Sequence, residues 1–452
     1  MPALSPRSVL EGRSTNRAPI PLIIGLVVSG FCLLLALAFY LLQGGPVNVV
    51  IGTALALPTA VVLIGLILLI DRLEPEPQLN LWLAFGWGAG VAIIGALVVN
   101  SGSEILMAPA LGAEAASVIT VSIVAPVVEE SFKGALLLYL LWVRRHEIDG
   151  PTDGIVYAGM CGLGFALVEN VLYYMQGLGA ETGEIWGTVL IRGVIAPLGH
   201  PMYTAMTGLG VAYAATHRGV GRFFAVVGGW CGAVFLHALW NGSLTFVGFL
   251  GMVVAYLVQF LVLIALVVIL ILDRKRLVHL IRKYLPAYIP SGLVQPRDVQ
   301  MLGSLAGRRQ ARRWARTQAG ATGARAMGDY QLAATELALL HSHAEKETIP
   351  PDKFFARREA ILGLMRAARD AFFRRMPQAP PPPWARQEQS GFFAPPAQLA
   401  AGRLPAYQPR PPAPRGPQQP GGFPPGGHRP PGRPPQPPGP NGPRPGGPWG
   451  PR

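Results

Sequence analysis

The stretch Pro126-Val127-Val128-Glu129-Glu130-Ser131-Phe132-Lys133 decides the reading of this chain. It lies inside an apolar run, 116–143, that is long enough to cross a bilayer. A single Asp, Lys or Arg at the centre of such a helix costs roughly 2.5–3.5 kcal/mol to insert, so two adjacent glutamates and a lysine there mark a functional site. Glu129 and Lys133 are four residues apart and Glu130 and Lys133 three, so on a helix the lysine reaches both acids. Any further partners have to come from neighbouring spans.

The rest of the composition agrees with a membrane setting. Of 452 residues, 51% are hydrophobic and 14% charged, proportions that exclude an ordinary soluble domain and indicate a polytopic membrane protein. Charge is unevenly spread: residues 1–272 carry 10 Lys+Arg and 14 Asp+Glu (net −4), and the remaining 180 carry 28 and 10 (net +18), which together give +14. The basic character thus belongs to the tail. Cys32, Cys161 and Cys231 each sit in an apolar run with no C-x-x-C spacing, so neither a disulfide nor a thiolate zinc site is expected. Enrichment in Ala, Arg, Gly and Pro fits a GC-rich bacterial genome.

Eight runs approach or exceed the ~20 residues a bilayer requires: 21–42, 48–70, 81–100, 116–143, 154–176, 188–214, 223–247 and 250–272. The fold class expected is therefore an all-α polytopic membrane protein of about eight transmembrane helices, with the site on helices four to seven. Residues 1–20 form a short N-terminal segment, and the first run reads as a retained span because no cleavage site follows it. Arg7, Arg13, Arg17, Arg72, Arg144, Arg145, Arg218, Arg222, Arg274, Lys275 and Arg276 all fall on the N-terminal side of the membrane, and the opposite loops hold Glu104, Glu114, Glu181 and Glu184. The positive-inside rule then puts both termini in the cytoplasm of a bacterial cell membrane. Arg192, near the outer start of span six, is out of step and calls for an acid partner or an interfacial position. In span five, Gly154, Ala158, Gly162 and Ala166 form a small-residue stripe suited to close helix approach.

Past Asp273 the chemistry changes. Residues 273–376 read as a basic helical region in which Arg308, Arg309, Arg312, Arg313 and Arg316 surround Leu305 and Trp314, a pattern suited to an anionic leaflet. No nucleic-acid-binding fold accompanies this charge, and none is expected as a partner. Helical stretches near Tyr330–Lys346 and Asp352–Arg375, parted by Ile349-Pro350-Pro351, form an expected hairpin, the second carrying Phe355, Leu362 and Phe372. Residues 377–452 contain 27 of the 45 prolines and read as a disordered or polyproline-like tail that recruits a cytoplasmic partner.

Four spans carry polar groups at one depth. At ~1.5 Å per residue, Glu129 lies 15 residues from Arg144, Glu169 16 from Asp153, His200 17 from His217 and His237 15 from Arg222, which places all four about 22–26 Å in. Asn170 and Asn241 belong to the same level. Imidazoles, carboxylates and an amide gathered in this way suit hydrolysis: a Zn²⁺ takes His nitrogen and carboxylate oxygen with one position left for water, a second carboxylate takes the water's proton, and an amide such as Asn241 donates to the developing oxyanion. The same buried carboxylates also suit an ion- or proton-coupled transporter, although no inverted repeat accompanies them.

At these residues the sequence resembles the PrsW family of intramembrane proteases, within the superfamily of CaaX endopeptidases and bacteriocin-immunity-type proteins. Glu129-Glu130-Ser131-Phe132-Lys133 matches its Glu-Glu-x-x-Lys, Phe165 through Glu169-Asn170 its Phe-x-x-x-Glu-Asn, and His200 and His237-Ala238-Leu239-Trp240-Asn241 its histidine motifs. The loop Asp71-Arg72-Leu73-Glu74-Pro75-Glu76-Pro77 resembles its acidic Glu-Pro repeat. The resemblance implies a membrane-embedded peptidase acting on a membrane-anchored protein, the founding member cutting an anti-sigma factor, across residues 21–272. On this basis Glu169, His200 and His237 are expected to hold Zn²⁺. Glu129 or Glu130 is expected to act as the base, with Lys133 keeping one of them charged and Asn241 assisting.

Overall fold

Within a bilayer only hydrogen bonding inside each segment satisfies every backbone amide and carbonyl, so apolar runs become helices. The computed structural model of the chain describes residues 20–73, 75–179 and 184–373, and helices are the regular structure among them. In order they are α1 (Ile20–Ile70), α2 (Gln78–Leu111), α3 (Ala113–Val143), α4 (Pro151–Gly179), α5 (Glu184–Val189), α6 (Gly199–Thr216), α7 (Gly221–Val247) and α8 (Phe249–Tyr284). Beyond the membrane region follow α9 (Pro296–Leu302), α10 (Leu305–Glu345) and α11 (Pro351–Phe373). The N-terminal residues 1–19 and the Pro-rich stretch 377–452 lie outside the described residues.

Six of the described helices are long and apolar enough to cross a membrane, against the eight runs read from sequence, and two local features account for the difference. α1 is two limbs. At Gly45 φ is +73°, a value glycine adopts without Cβ strain, and Leu22 of the first limb shares a core cluster with Leu63 and Ile67 of the second, so the chain doubles back on itself. The run 188–214 is interrupted. After α5 comes a π-helical turn, Leu190–Ile195, and at Ala196 the backbone leaves helical geometry (φ −120°, ψ 42°) before α6 begins. Pro201 sits in the first turn of α6, where its missing amide would have no intrahelical partner.

Apolar clusters line the bundle, two of which lie along α1 and α4. One, at the end bearing Arg144 and Arg145, joins Leu22, Ile67, Leu81, Leu140, Val156 and Ala215; the other gathers Tyr40, Val49, Ala89, Phe165, Tyr174 and Met175. Phe31, Leu106, Phe235 and Val268 face outward, as lipid-facing side chains do. The small stripe of α4 lies against α6. A Cβ added at Gly154 would stand 2.3 Å from the Gly208 carbonyl oxygen, and one at Gly162 2.6 Å from the carbonyl oxygen of His200. Because both contacts are to backbone, α4 holds α6 at a fixed height. Gly162→Val is therefore expected to push His200 away from Glu169 at an overpacking cost of about 1–3 kcal/mol, seen as a lower melting temperature in detergent together with lost activity.

The acidic Glu-Pro loop now has a physical role. The Asp71 carboxylate accepts the Glu76 amide at 3.0 Å, the Tyr157 hydroxyl donates to the Glu76 carboxylate, and Asn80 donates to Glu147 and, at 3.3 Å, to the Tyr157 hydroxyl. The loop thereby ties α1 to α4 and to the α3–α4 connection.

α9, α10 and α11 pack together on the basic end of the bundle. The hairpin expected from sequence forms, but α10 begins at Leu305, and Phe354, not Phe355, is buried. Trp314 is also buried, its ring 5.3 Å from that of Phe372, so the apolar face of the basic stretch meets α11 rather than the leaflet. Among the contacts that dock these helices to the bundle, His343 Nε2 lies 2.7 Å from Asp149 Oδ1 and His341 Nε2 lies 2.7 Å from the Tyr288 hydroxyl.

Burial, with the Arg358 charge adding to it, lowers His341 to about 4. An imidazole that protonates less readily when folded loses stability as pH falls from its unfolded value of about 6.5 toward 4. Acidification from pH 7 to 5 is thus expected to weaken this junction by about 2 kcal/mol, read as faster hydrogen exchange in α10 and α11. His341→Phe should remove that pH dependence.

Candidate active site

The site is assembled by α3, α4, α6 and α7. Pro126 lacks the amide that would bond back to the Ser122 carbonyl, and α3 answers with a π-helical turn at Thr120–Val124 just ahead of the two glutamates. Glu129, Glu130 and Lys133 then face inward, 5%, 0% and 0% exposed. α4 brings Glu169 and Asn170, α6 brings His200 and Thr204, and α7 brings His237. The common depth counted along the sequence is thus a common place in space.

Lys133 Nζ is the hub. It lies 2.8 Å from Glu130 Oε1, 3.5 Å from Glu129 Oε2 and 3.0 Å from His200 Nδ1, and sits 3.8 Å from the centre of the Phe165 ring. Glu130 is fully engaged: the Thr204 hydroxyl donates to its Oε2 at 3.0 Å, and His237 Nδ1 is 3.2 Å from its Oε1. Glu129 differs, because its buried Oε2 has no hydrogen-bond partner and stands 3.8 Å from His237 Nε2. Each histidine is therefore held by one carboxylate. Glu130 takes His237, and Glu169 Oε2 takes His200 Nε2 at 2.8 Å. The two imidazoles meet edge to face with ring centres 4.9 Å apart, and His237 stacks on Tyr203, whose hydroxyl accepts from Gln259 at 2.9 Å.

Arg192, the residue out of step in the charge pattern, finds its acid here. It pairs with Glu169, donates from Nε to Asn170 Oδ1 at 2.7 Å, and lies 3.9 Å over the Tyr173 ring.

Of the residues expected at the site, Glu129, Glu130, Lys133, Glu169, His200 and His237 come together. Asn241 does not join them: its amide donates to the Val121 carbonyl at 3.0 Å, in the π turn of α3. The donor grouping also differs from the expected ligand set. Glu129, His200 and His237 present ligand atoms within 4.8 Å of one another, and Glu169 instead contacts His200 at Nε2. Two imidazoles with an unpartnered buried carboxylate oxygen are a donor set that zinc takes, so these residues fit a metal. Carboxylates behind metal-binding histidines are the usual outer support of such sites. Thr204 and Gln259 were missed from sequence. Thr204 lies four residues after His200 and Gln259 is the lone amide of its apolar run, and these were the signals available.

The chain is 33% identical over 89 residues to Protease PrsW of Oceanobacillus iheyensis, covering 20% of this chain and 38% of that protein. It is 32% identical over 79 residues to Protease PrsW of Geobacillus kaustophilus, covering 18% of this chain and 32% of the relative. The chain thus spans about a third of the length of the curated relatives it matches. No solved structure matches it. Residues 76–270 match the family described as PrsW family intramembrane metalloprotease, a range that holds every residue of the cluster.

Proposed function

We propose that this chain is an intramembrane endopeptidase that hydrolyses a peptide bond of a membrane-anchored protein. The observation that carries the reading is the unengaged Glu129 Oε2, buried beside two imidazoles that are each anchored by another carboxylate. A base needs a free oxygen near the reacting water, and Glu129 has one. Glu130 is committed to Lys133, Thr204 and His237; its task is to fix His237 and offset the lysine. Glu169, backed by Arg192, fixes His200 in the same way. Arg192 holds the oxygen of Asn170, which leaves that amide's NH₂ for the substrate carbonyl, the role expected of Asn241 from sequence. His200 and His237 would hold a Zn²⁺, which would supply a water of lowered pKa beside the Glu129 base.

The side chains of Glu169, His200 and Arg192 are 14%, 11% and 20% exposed, against 0–3% for Lys133, Glu130 and His237, so the substrate reaches the cluster from the α4–α5 side. Arg145 lies near Arg218 and Arg222, a gathering of basic residues that supports a cytoplasmic position for this end of the bundle. A membrane-anchored anti-sigma factor is the substrate class suggested by the family resemblance.

The test is His200→Ala and His237→Ala, compared with wild type for cleavage of membrane-anchored candidates and for bound zinc in purified protein. Loss of both in both variants is expected, whereas full processing by either would overturn the reading. Solute flux in proteoliposomes that the same substitutions abolish, with no cleavage, would favour a transporter. Asn170→Ala is expected to slow cleavage by more than Asn241→Ala, by about 10-fold or more, because only Asn170 stands beside Glu169 and Arg192.

A further inference from the structure

We propose that the arginine face of α10 is a binding surface for the anionic phospholipid headgroups of the membrane that the bundle crosses, independently of the peptidase reading above. Residues 305–328 hold six arginines and no acid. One of them, Arg308, is internal: its Nε donates to the Leu302 carbonyl and its Nη2 to the Thr335 hydroxyl, both at 2.9 Å. At about 100° per residue, Arg309, Arg312, Arg313 and Arg316 share an arc about 100° wide, opposite buried Ala311, Trp314 and Ala315. Arg309, Arg313 and Arg316 are exposed, and no described acid pairs with any of the four.

Two observations place this face at headgroup level. Leu305, at the start of α10, lines a cavity of about 380 Å³ with Leu69, Ile70 and Ile271, so α10 begins where α1 and α8 leave the apolar layer. Arg312 is half-buried near Arg72, two residues past the end of α1, where burial and then that like charge lower its proton affinity. Like charges held together with no described acid paired to them call for a shared anion. At a membrane surface that anion is the lipid phosphate, which attracts basic residues within a Debye length of about 8–10 Å. Because Trp314 is committed to Phe372, no apolar side chain is left to insert. The binding is electrostatic and salt-sensitive, unlike that of an amphipathic helix lying in the leaflet.

Native mass spectrometry of the full chain in detergent tests this, with dioleoylphosphatidylglycerol and dioleoylphosphatidylcholine titrated separately. Wild type should retain the glycerol lipid at least roughly tenfold better, and the triple variant R309Q/R313Q/R316Q, altered only at exposed positions, should lose most of that preference. Equal retention of the two lipids, or an unchanged preference in the triple variant, would overturn the proposal. Duplex DNA or an RNA stem that binds wild type more tightly and displaces the glycerol lipid would also overturn it, in favour of nucleic acid. As a second measurement on wild type alone, hydrogen exchange of residues 305–318 should be slower in nanodiscs containing phosphatidylglycerol than in pure phosphatidylcholine; equal rates would overturn it too.

Discussion

Glu129→Gln is expected to reduce cleavage of a membrane-anchored substrate by about 10²–10⁴-fold, the usual contribution of a positioned base, while leaving the melting temperature in detergent nearly unchanged. The two halves of this expectation have one cause. Glu129 Oε2 makes no hydrogen bond, and the nearest nitrogens are Lys133 Nζ at 3.5 Å and His237 Nε2 at 3.8 Å. An amide of the same shape therefore costs the fold little but can no longer take a proton. Glu130→Gln should behave in the opposite sense. It removes the closest counter-charge of Lys133, 2.8 Å away, and weakens the hold on His237, so stability falls along with activity. Thermal unfolding alongside cleavage separates the two glutamates. A Glu129→Gln protein that still cleaves at the wild-type rate would remove Glu129 from the chemistry.

Lys133→Met is expected to be the most destabilising single change in the bundle, by about 3–5 kcal/mol, because it strands buried carboxylates without their cation. Lys133 is wholly buried and touches Glu129, Glu130 and His200, which lie on two helices, so no water can take over its role without opening the core. The double variant Lys133→Met with Glu130→Gln should recover much of that loss, since it removes one charge of each sign together. Denaturation of the four proteins in detergent gives the coupling energy directly, and contacting charged groups commonly show about 0.5–3 kcal/mol of it. Additive losses would mean that Lys133 and Glu130 act separately.

The pairing of Arg192 with Glu169 and Asn170 shows how far a charge pattern can be read. From the sequence Arg192 was visibly misplaced and in need of an acid, but its partners lie 22 and 23 residues away on another helix. In the tail, the basic stretch around Trp314 has the periodicity of a leaflet-bound helix, and the same periodicity serves equally to bury Trp314 against Phe372. Periodicity identifies an apolar face without saying what covers it.

What the sequence by itself determined is one-dimensional. Apolar length set the spans, basic residues grouped the loops, and counting at a fixed rise per residue placed Glu129, Glu169, His200 and His237 at one depth, because a helix in a bilayer turns residue number into height. Tertiary structure decided what depends on rotation and partners. Glu129 and Glu130 are neighbours in the chain about 100° apart on α3, so only the packing of α6 and α7 could assign Thr204 and His237 to one and leave the other free. The same packing turned Asn241 toward Val121 and set Glu169 behind His200.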